Sequence, residues 1–150
     1  MAVIEKTIKT DLDAMNDIRL LLEDAGIPAL ITGEIRIIQR RLDSAKEDCV
    51  INTLLWDADQ FQGGVFNINF HVPNLSGRVG ENPTAVDKTQ PDVERMVELG
   101  KIAVAALDDH HGYDFSLKLR NPGTVEGNGS TEWLHNIQVD YIHLRTDTVN

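Results

Sequence analysis

The chain has 150 residues, of which 41% are hydrophobic, so it is long enough to bury one compact core and too short for two comfortable domains. Fourteen basic against twenty-four acidic side chains give a net charge of -10, which repels phosphate backbones and anionic lipid headgroups and argues against a sequence-specific nucleic-acid reader or a membrane-binding protein. No run approaches about 20 apolar residues, and Met1–Thr10 has no sustained apolar stretch, so we expect one soluble domain, residues 1–150, without a signal peptide.

The first predicted element is an amphipathic helix at Asp11–Ala25. Thr10 or Asp11 is a suitable N-cap, and Gly26 with Pro28 ends the helix. Its apolar residues recur at spacings of three and four and line one face. They are Leu12, Met15, Ile18, Leu21, Leu22 and Ala25.

A long hairpin is the most informative feature of the chain. A short strand at Glu34–Gln39 and a charged turn at Arg40–Glu47 precede it. Two strand-like runs, Asp48–Trp56 and Gly64–Val72, then flank a polar turn at Asp57–Gly63. We expect this hairpin to form the centre of the fold.

The residues of the hairpin alternate between two faces. In its second strand Phe66, Ile68, Phe70 and Val72 point one way, and Asn67, Asn69 and His71 point the other. The first strand is apolar in both registers, with Val50, Leu54 and Trp56 on one side and Ile51 and Leu55 on the other. We therefore expect the first strand to be covered on both faces.

A long loop and a second helix follow the hairpin. Pro73–Thr89 contains prolines and glycines without periodicity, and loops of that length in a compact domain are commonly functional. Pro91 is predicted to open a helix that ends near Leu107, with Gln90 or Thr89 as its cap. Its apolar side is Val93, Met96, Val97, Gly100, Val104 and Leu107.

Two more strands, Tyr113–Arg120 and Glu132–Arg145, are predicted on either side of a glycine-rich loop at Asn121–Thr131. In the last strand Trp133, Ile137, Val139 and Tyr141 form the core face. The predicted buried residues are Trp56, Phe66, Phe70, Val97, Val104, Phe115 and Tyr141. The predicted fold is α+β, an antiparallel sheet with a long central hairpin packed by two helices.

No catalytic motif is found in the sequence. There is no G-x-S-x-G turn and no phosphate-binding glycine loop, and Cys49 is expected to be a small buried side chain. The neighbours His110 and His111 point apart and favour the end of a helix over a metal site. We therefore predict no enzyme, no cofactor and no metal. A histidine cluster on neighbouring strands remains open as an alternative, formed by His71, His135 and His143.

The order of elements resembles that of the tail-terminator or tail-completion proteins of long-tailed bacteriophages. The segments that carry the likeness are Ile51–Pro73 (INTLLWDADQFQGGVFNINFHVP), Pro91–Leu107 (PDVERMVELGKIAVAAL) and Glu132–Arg145 (EWLHNIQVDYIHLR). The resemblance implies a tail-terminator-like fold and a subunit that assembles as a ring, typically a homohexamer, at the head-proximal end of the tail tube. Such a ring stops tube growth and docks to the neck.

The same resemblance implies a set of partners and a location. The partners are copies of the chain, the tail-tube protein and a neck or head-completion protein, and DNA passes through the ring. The protein is then assembled in the host cytoplasm and located in the virion. Three alternatives stay open: another head-tail connector or neck adaptor, a small histidine-dependent metalloenzyme, and a monomeric binding module.

The candidate interface residues come from the hairpin. Its tip contributes Asp57, Asp59, Gln60 and Phe61, and its polar face contributes Asn67, Asn69 and His71. An aromatic side chain in a polar turn is either covered by a partner or folded back onto its own domain, and both alternatives stay open for Phe61. We expect this tip and the loop Pro73–Thr89 to make the subunit and neck contacts.

Overall fold

The computed structural model describes residues 8–57, 61–74, 90–128 and 132–144, without the side chains at positions 61, 122, 124–128 and 144. The helices in these ranges are α1 (Asp11–Asp24), α2 (Ile27–Leu30) and α3 (Val93–Leu107). The strands are β1 (Ile35–Ile37), β2 (Asp48–Asp57), β3 (Phe61–Pro73), β4 (His110–His111), β5 (Phe115–Asn128) and β6 (Glu132–Leu144). The predicted α+β class is confirmed. None of the helices described has the length and apolar character needed to span a membrane.

The strands form one six-stranded sheet in the order β1-β2-β3-β6-β5-β4. All pairs are antiparallel except β1 with β2, which run parallel with Ile35 opposite Cys49. The prediction of an antiparallel sheet is therefore wrong at this edge. Residues 38–47 separate β1 from β2, which gives the chain enough length to return and run in the same direction.

The predicted hairpin is present as β2 and β3, but its turn is shorter than predicted. Phe61 to Gly63 belong to β3 instead of the turn, and Gly63 pairs with Asp57. Residues 58–60 lie outside the described residues. The alternation predicted for the second strand is confirmed, since Phe66, Ile68 and Phe70 are all fully buried.

A β-bulge at Leu54 changes the predicted faces of β2. Thr53 lies opposite Phe66 and Leu55 lies opposite Val65, so Leu54 is an extra residue and the pattern of faces inverts beyond it. Trp56 therefore turns to the helix-covered face, where its ring lies 5.8 Å from that of Phe66. A Cβ at position 64 would lie 2.8 Å from the Trp56 ring, so Gly64 provides the space it needs.

The bulge moves Leu55 to the opposite face, where it is 62% exposed. Leu54 is exposed as well. The prediction that β2 is covered on both faces is therefore wrong for this half of the strand. Val50 and Ile51, before the bulge, are buried as predicted.

Helices α1 and α3 pack against one face of the sheet and bury a single apolar core. Of the predicted core residues, Phe66, Phe70 and Tyr141 are fully buried. Trp56, Val104 and Phe115 are only partly buried. Val97 is 46% exposed, so that prediction is wrong. The buried face of α3 instead contains Met96, Leu99, Gly100, Ala103 and Leu107.

Local capping interactions set the ends of the helices. Thr10 caps α1 in a capping box with Asp13, as the sequence predicted for Thr10. Leu12, predicted on its apolar face, is 51% exposed. Helix α3 begins at Val93 and not at Pro91, because the carboxylate of Asp92 accepts the Arg95 N–H at 3.1 Å and acts as the cap.

Of the two C-terminal strands, β6 spans Glu132–Leu144, close to its predicted range, and β5 is longer than predicted. Strand β5 continues through the predicted loop as far as Asn128, with irregular pairing near Asn121. His110 and His111 form the short strand β4 beside β5, so they do not end a helix. In β6, Ile137 and Val139 are buried on the core face, as predicted.

Candidate functional site on the open face of the sheet

The second face of the sheet has neither α1 nor α3 against it, and we call it the open face. It is formed mainly by β2, β3 and β6, whose side chains are aligned across the strands. Its residues are Asp48, Val50, Asn52, Leu55, Val65, Asn67, Asn69, His71, Leu134, Asn136, Gln138, Asp140 and Ile142. Along the strands this face has three parts: a charged end at Asp48, a centre of side-chain amides at Asn67, and an apolar end at Leu55.

The centre of the open face is a network of side-chain amides. Asn67 donates to Asn52 at 3.0 Å, and its carbonyl oxygen accepts from Gln138 at 3.0 Å and from Asn136 at 3.2 Å. Asn136 also donates to Asn69 at 2.6 Å. The two predicted interface residues in this group, Asn67 and Asn69, therefore lie on one polar, uncharged surface that crosses β2, β3 and β6.

The charged end is organised around Arg40, and we call it the Arg40 cluster. The Arg40 guanidinium lies 2.8 Å from Asp48 and 2.5 Å from Glu132. Ser44 donates to Asp48 at 2.6 Å, and Nδ1 of the predicted interface residue His71 lies 3.2 Å from the Glu132 carboxylate. Because Asp48 and Glu132 are buried, Arg40 supplies the charge that compensates them.

The electrostatics of the Arg40 cluster favour the ionised form of Asp48. Burial alone would raise the pKa of Asp48, but hydrogen bonds from Ser44, the Glu34 N–H and Arg40 outweigh it and lower that pKa. Burial and the Arg40 charge lower the pKa of His71, although its hydrogen bond to Glu132 acts in the opposite direction. His71 is therefore neutral at pH 7 and titrates below its ordinary range.

The apolar end of the open face is a groove of 540 Å³ beside the bulge. Leu55, Val65 and Ile142 line it, and both Leu55 and Ile142 are more than half exposed. The charged residues at the groove are Asp57, Asp109, Asp140, Lys118 and Arg120, together with the exposed His111. Asp57, a predicted interface residue at the tip end of the hairpin, also lines this groove. The groove therefore connects the hairpin tip to the open face.

A second polar network lies on the helix-covered face and was not predicted. Lys9 Nζ lies 2.8 Å from Asp17, 2.9 Å from the Tyr141 hydroxyl and 3.1 Å from Asp114. The buried Gln62 side chain exchanges hydrogen bonds with the Lys9 backbone, each at 2.8 Å. A buried tyrosine needs a polar partner, which was the only sequence signal for this site.

The Tyr141 hydroxyl stays protonated in that network. Burial raises its pKa, and the hydrogen bond that it donates to Asp17 at 2.5 Å raises it further. A phenol held in this way is a hydrogen-bond donor and is poorly suited to act as a nucleophile. We interpret the network as a structural link between α1, β3, β6 and the residue that precedes β5.

The histidines predicted as an alternative metal cluster are separated. His71 lies on the open face, whereas His135 contacts the Met96 carbonyl at 3.2 Å and His143 contacts the Asp114 carbonyl at 2.7 Å on the other face. His135 and His143 are eight residues apart on β6, about 26 Å along the strand. In the described ranges no three His, Cys, Asp or Glu side chains are arranged to bind a metal.

The His135 ring is held tightly between α3 and β5. A Cβ at Gly100 would lie 2.5 Å from the ring, so glycine is required for this close approach. Burial lowers the pKa of His135, and the hydrogen bond to the Met96 carbonyl only partly offsets it. The folded protein therefore disfavours the imidazolium form.

We expect the protein to lose stability as the pH falls below about 6.5, the ordinary histidine pKa. Below this pH the unfolded chain binds protons that His135 and His71 do not bind in the folded protein. The stability that these two histidines contribute is therefore complete above this pH, and it is lost as the pH falls through their lowered pKa values in the folded protein. Urea unfolding at a series of pH values measures this. His135→Gln should flatten the slope between about pH 6.5 and 5, whereas His111→Gln, at an exposed site, should not. An unchanged slope in His135→Gln would contradict the assignment.

The remaining predicted site residues fall at the edges of the described structure. Asp59 and Gln60 lie outside the described residues, and so does the side chain of Phe61, whose backbone pairs with Leu144. Residues 75–89 of the predicted long loop also lie outside them. Cys49 is fully buried, as predicted, and burial raises the pKa of its thiol.

A scan against models of protein families finds no match to this chain, and a search of curated proteins finds none either. The geometry of the open face is therefore the basis for a functional interpretation, together with the element order.

Proposed function

We propose that the protein is a structural virion subunit of a long-tailed bacteriophage. In this proposal, which includes a tail-terminator-like fold, copies of the chain form a ring, typically a hexamer, at the head-proximal end of the tail. The ring ends growth of the tail tube and joins the tail to the neck. Its partners are other copies of itself, the tail-tube protein and a neck or head-completion protein. It assembles in the host cytoplasm.

The observation that carries the proposal is that, in the described ranges, α1 and α3 pack against one face of the sheet and leave the amide network on the other. The amides at the centre of the open face are uncharged and hydrogen-bonded to one another, so covering them with another protein has a lower desolvation cost than covering charged side chains. Exposed Leu55 and Ile142 extend the same surface with apolar area. A neutral polar centre beside apolar side chains is the composition of a protein interface.

The charge of the chain supports the location in the tail. DNA moves through the tail during infection, and a lumen rich in lysine and arginine would bind its phosphates and slow it. With a net charge of -10, a ring of these subunits repels the DNA backbone and allows it to slide.

Native mass spectrometry and electron microscopy of the purified full chain test this function. We expect a closed oligomer of one defined size with a central hole, and labelled protein at the junction of tail and neck in particles. Asn69→Asp adds a charge to the open face and should abolish the ring. Asn16→Asp, the same change on α1, should not. A chain present as a single copy in the virion, or one that forms no ring alone or on tails, would contradict the proposal.

A further inference from the structure

The ammonium group of Lys9, in the polar network on the helix-covered face, contacts two carboxylates. Its Nζ lies 2.8 Å from Asp17 and 3.1 Å from Asp114, and the Lys9 side chain is only 15% exposed. The carboxylates come from separate elements, since Asp17 lies on α1 and Asp114 directly precedes β5. An amine and a carboxylate at this distance are the two reactants of an amide bond, with a second carboxylate beside them.

Two aromatic rings cover this ammonium group. The Phe115 and Tyr141 rings stack with their centroids 5.2 Å apart, and Lys9 Nζ lies 5.0 Å from the first centroid and 5.7 Å from the second. The rings keep water away from one side of the amine, and a lysine amine in a poorly hydrated pocket is a better nucleophile than one in water. The Tyr141 hydroxyl also donates to Asp17 at 2.5 Å and so orients the second carboxylate.

Buried side chains hold the backbone of both reactants. The Gln62 side chain exchanges two hydrogen bonds of 2.8 Å with the Lys9 backbone, and the His143 ring contacts the Asp114 carbonyl at 2.7 Å. Both Gln62 and His143 are almost fully buried, so they restrict how far the reactants can move. Well-oriented groups within one molecule react as if at concentrations of about 10⁵–10⁸ M, which favours a condensation that is unfavourable between free molecules in water.

We propose that Lys9 and Asp114 form an isopeptide bond, with Asp17 as the general base. The Lys9 ammonium transfers one proton to the Asp114 carboxylate, and the amine lone pair then forms a C–N bond with Asp114 Cγ. Asp17 accepts a second proton from the nitrogen and passes it to the departing hydroxyl, which leaves as water. An ammonium and a carboxylate become one amide and one water molecule, so the reaction needs no oxidant or other reactant. The Asp114 side chain is 43% exposed, which gives the released water a path to the solvent.

The bond closes a covalent loop that runs from Lys9 to Asp114 and contains all three helices and strands β1 to β4. A cross-link over such a long segment restricts the unfolded chain far more than the folded one, and it therefore stabilises the fold. This modification goes beyond the proposed function and does not depend on it, because the reacting groups all belong to one copy of the chain.

Mass spectrometry of the intact, denatured full chain tests the bond. We expect the wild-type chain to be lighter than its sequence by the mass of one water molecule, and its proteolytic digest to contain the Lys9 and Asp114 peptides joined to each other. Lys9→Arg, which keeps the positive charge, and Asp114→Ala should each have the full mass of their own sequence. Asp17→Asn removes the base and should slow the loss of water by about 10²–10⁴-fold.

Lys101→Arg and Asp24→Ala are the matched controls, because both residues are exposed and lie outside the network, and both variants should still lose one water. An unchanged circular dichroism spectrum of Lys9→Arg shows that its full mass does not result from unfolding. A folded wild-type chain with the full mass of its sequence would overturn the proposal. A loss of water that persists in Lys9→Arg, or that maps to other residues in the digest, would overturn it as well.

Discussion

Phe70→Ala is expected to lower the free energy of unfolding by about 3–5 kcal/mol. The Phe70 side chain is fully buried on the helix-covered face of β3, between its strand neighbours Cys49 and His135. Removing the ring leaves a cavity that the surrounding strands cannot fill completely. Since domains of this kind are stable by about 5–15 kcal/mol, the loss is a large fraction of the total. Urea unfolding followed by circular dichroism measures it.

Val97→Ala is the control for the Phe70 variant. Because Val97 is exposed on α3, its truncation should change the stability by less than about 0.5 kcal/mol. Phe70→Leu should fall between the two, since it keeps most of the apolar volume. A Phe70→Ala protein that unfolds at the same urea concentration as the parent would show that the inward face of β3 is assigned incorrectly.

The faces of β3 could be predicted because its alternation is uninterrupted from Phe66 to Val72. In β2 the same reasoning failed beyond Thr53. An extra residue in one strand is defined by the pairing of two strands, and the spacing of apolar residues in β2 alone does not reveal it. The position of Trp56 against the core and that of Leu55 in the groove both follow from that bulge.

Helix α3 shows a second limit of sequence reasoning. Val93 and Val97 extend the apolar stripe, but the packing of the helix turns the side that contains Gly100 towards the sheet. This orientation allows the His135 ring to approach the helix. The periodicity predicted a helix correctly, and tertiary packing decided which part of its broad apolar side is buried.

The candidate site was predictable only in its local part. Alternation assigned Asn67, Asn69 and His71 to one polar face, and the structure confirms that placement. The Arg40 cluster joins residues that are as far as 92 positions apart, and the sequence contains no signal that pairs them. The exposure of Leu42 was not predictable either, since the sequence shows only a charged turn at Arg40–Glu47 and the exposure of one loop residue depends on how its neighbours are anchored.

Arg40→Leu should lower the free energy of unfolding by about 3–4 kcal/mol at pH 7. Leucine retains much of the apolar stem but removes the charge that compensates Asp48 and Glu132, and both carboxylates are buried. Loss of that charge also raises the pKa of Asp48, which Arg40 helps to lower in the parent protein. Urea unfolding of the two proteins at pH 7 gives the difference.

The pH dependence distinguishes this electrostatic effect from lost packing. The lowered pKa of Asp48 contributes stability that is present above the ordinary aspartate pKa and disappears as the pH falls through the folded value. The deficit of Arg40→Leu should therefore be largest at pH 7 and shrink at about pH 3. Arg41→Leu, at an exposed ion pair with Glu34, should have a much smaller effect than Arg40→Leu at pH 7. A deficit of Arg40→Leu that is equal at both pH values would identify lost packing as its cause.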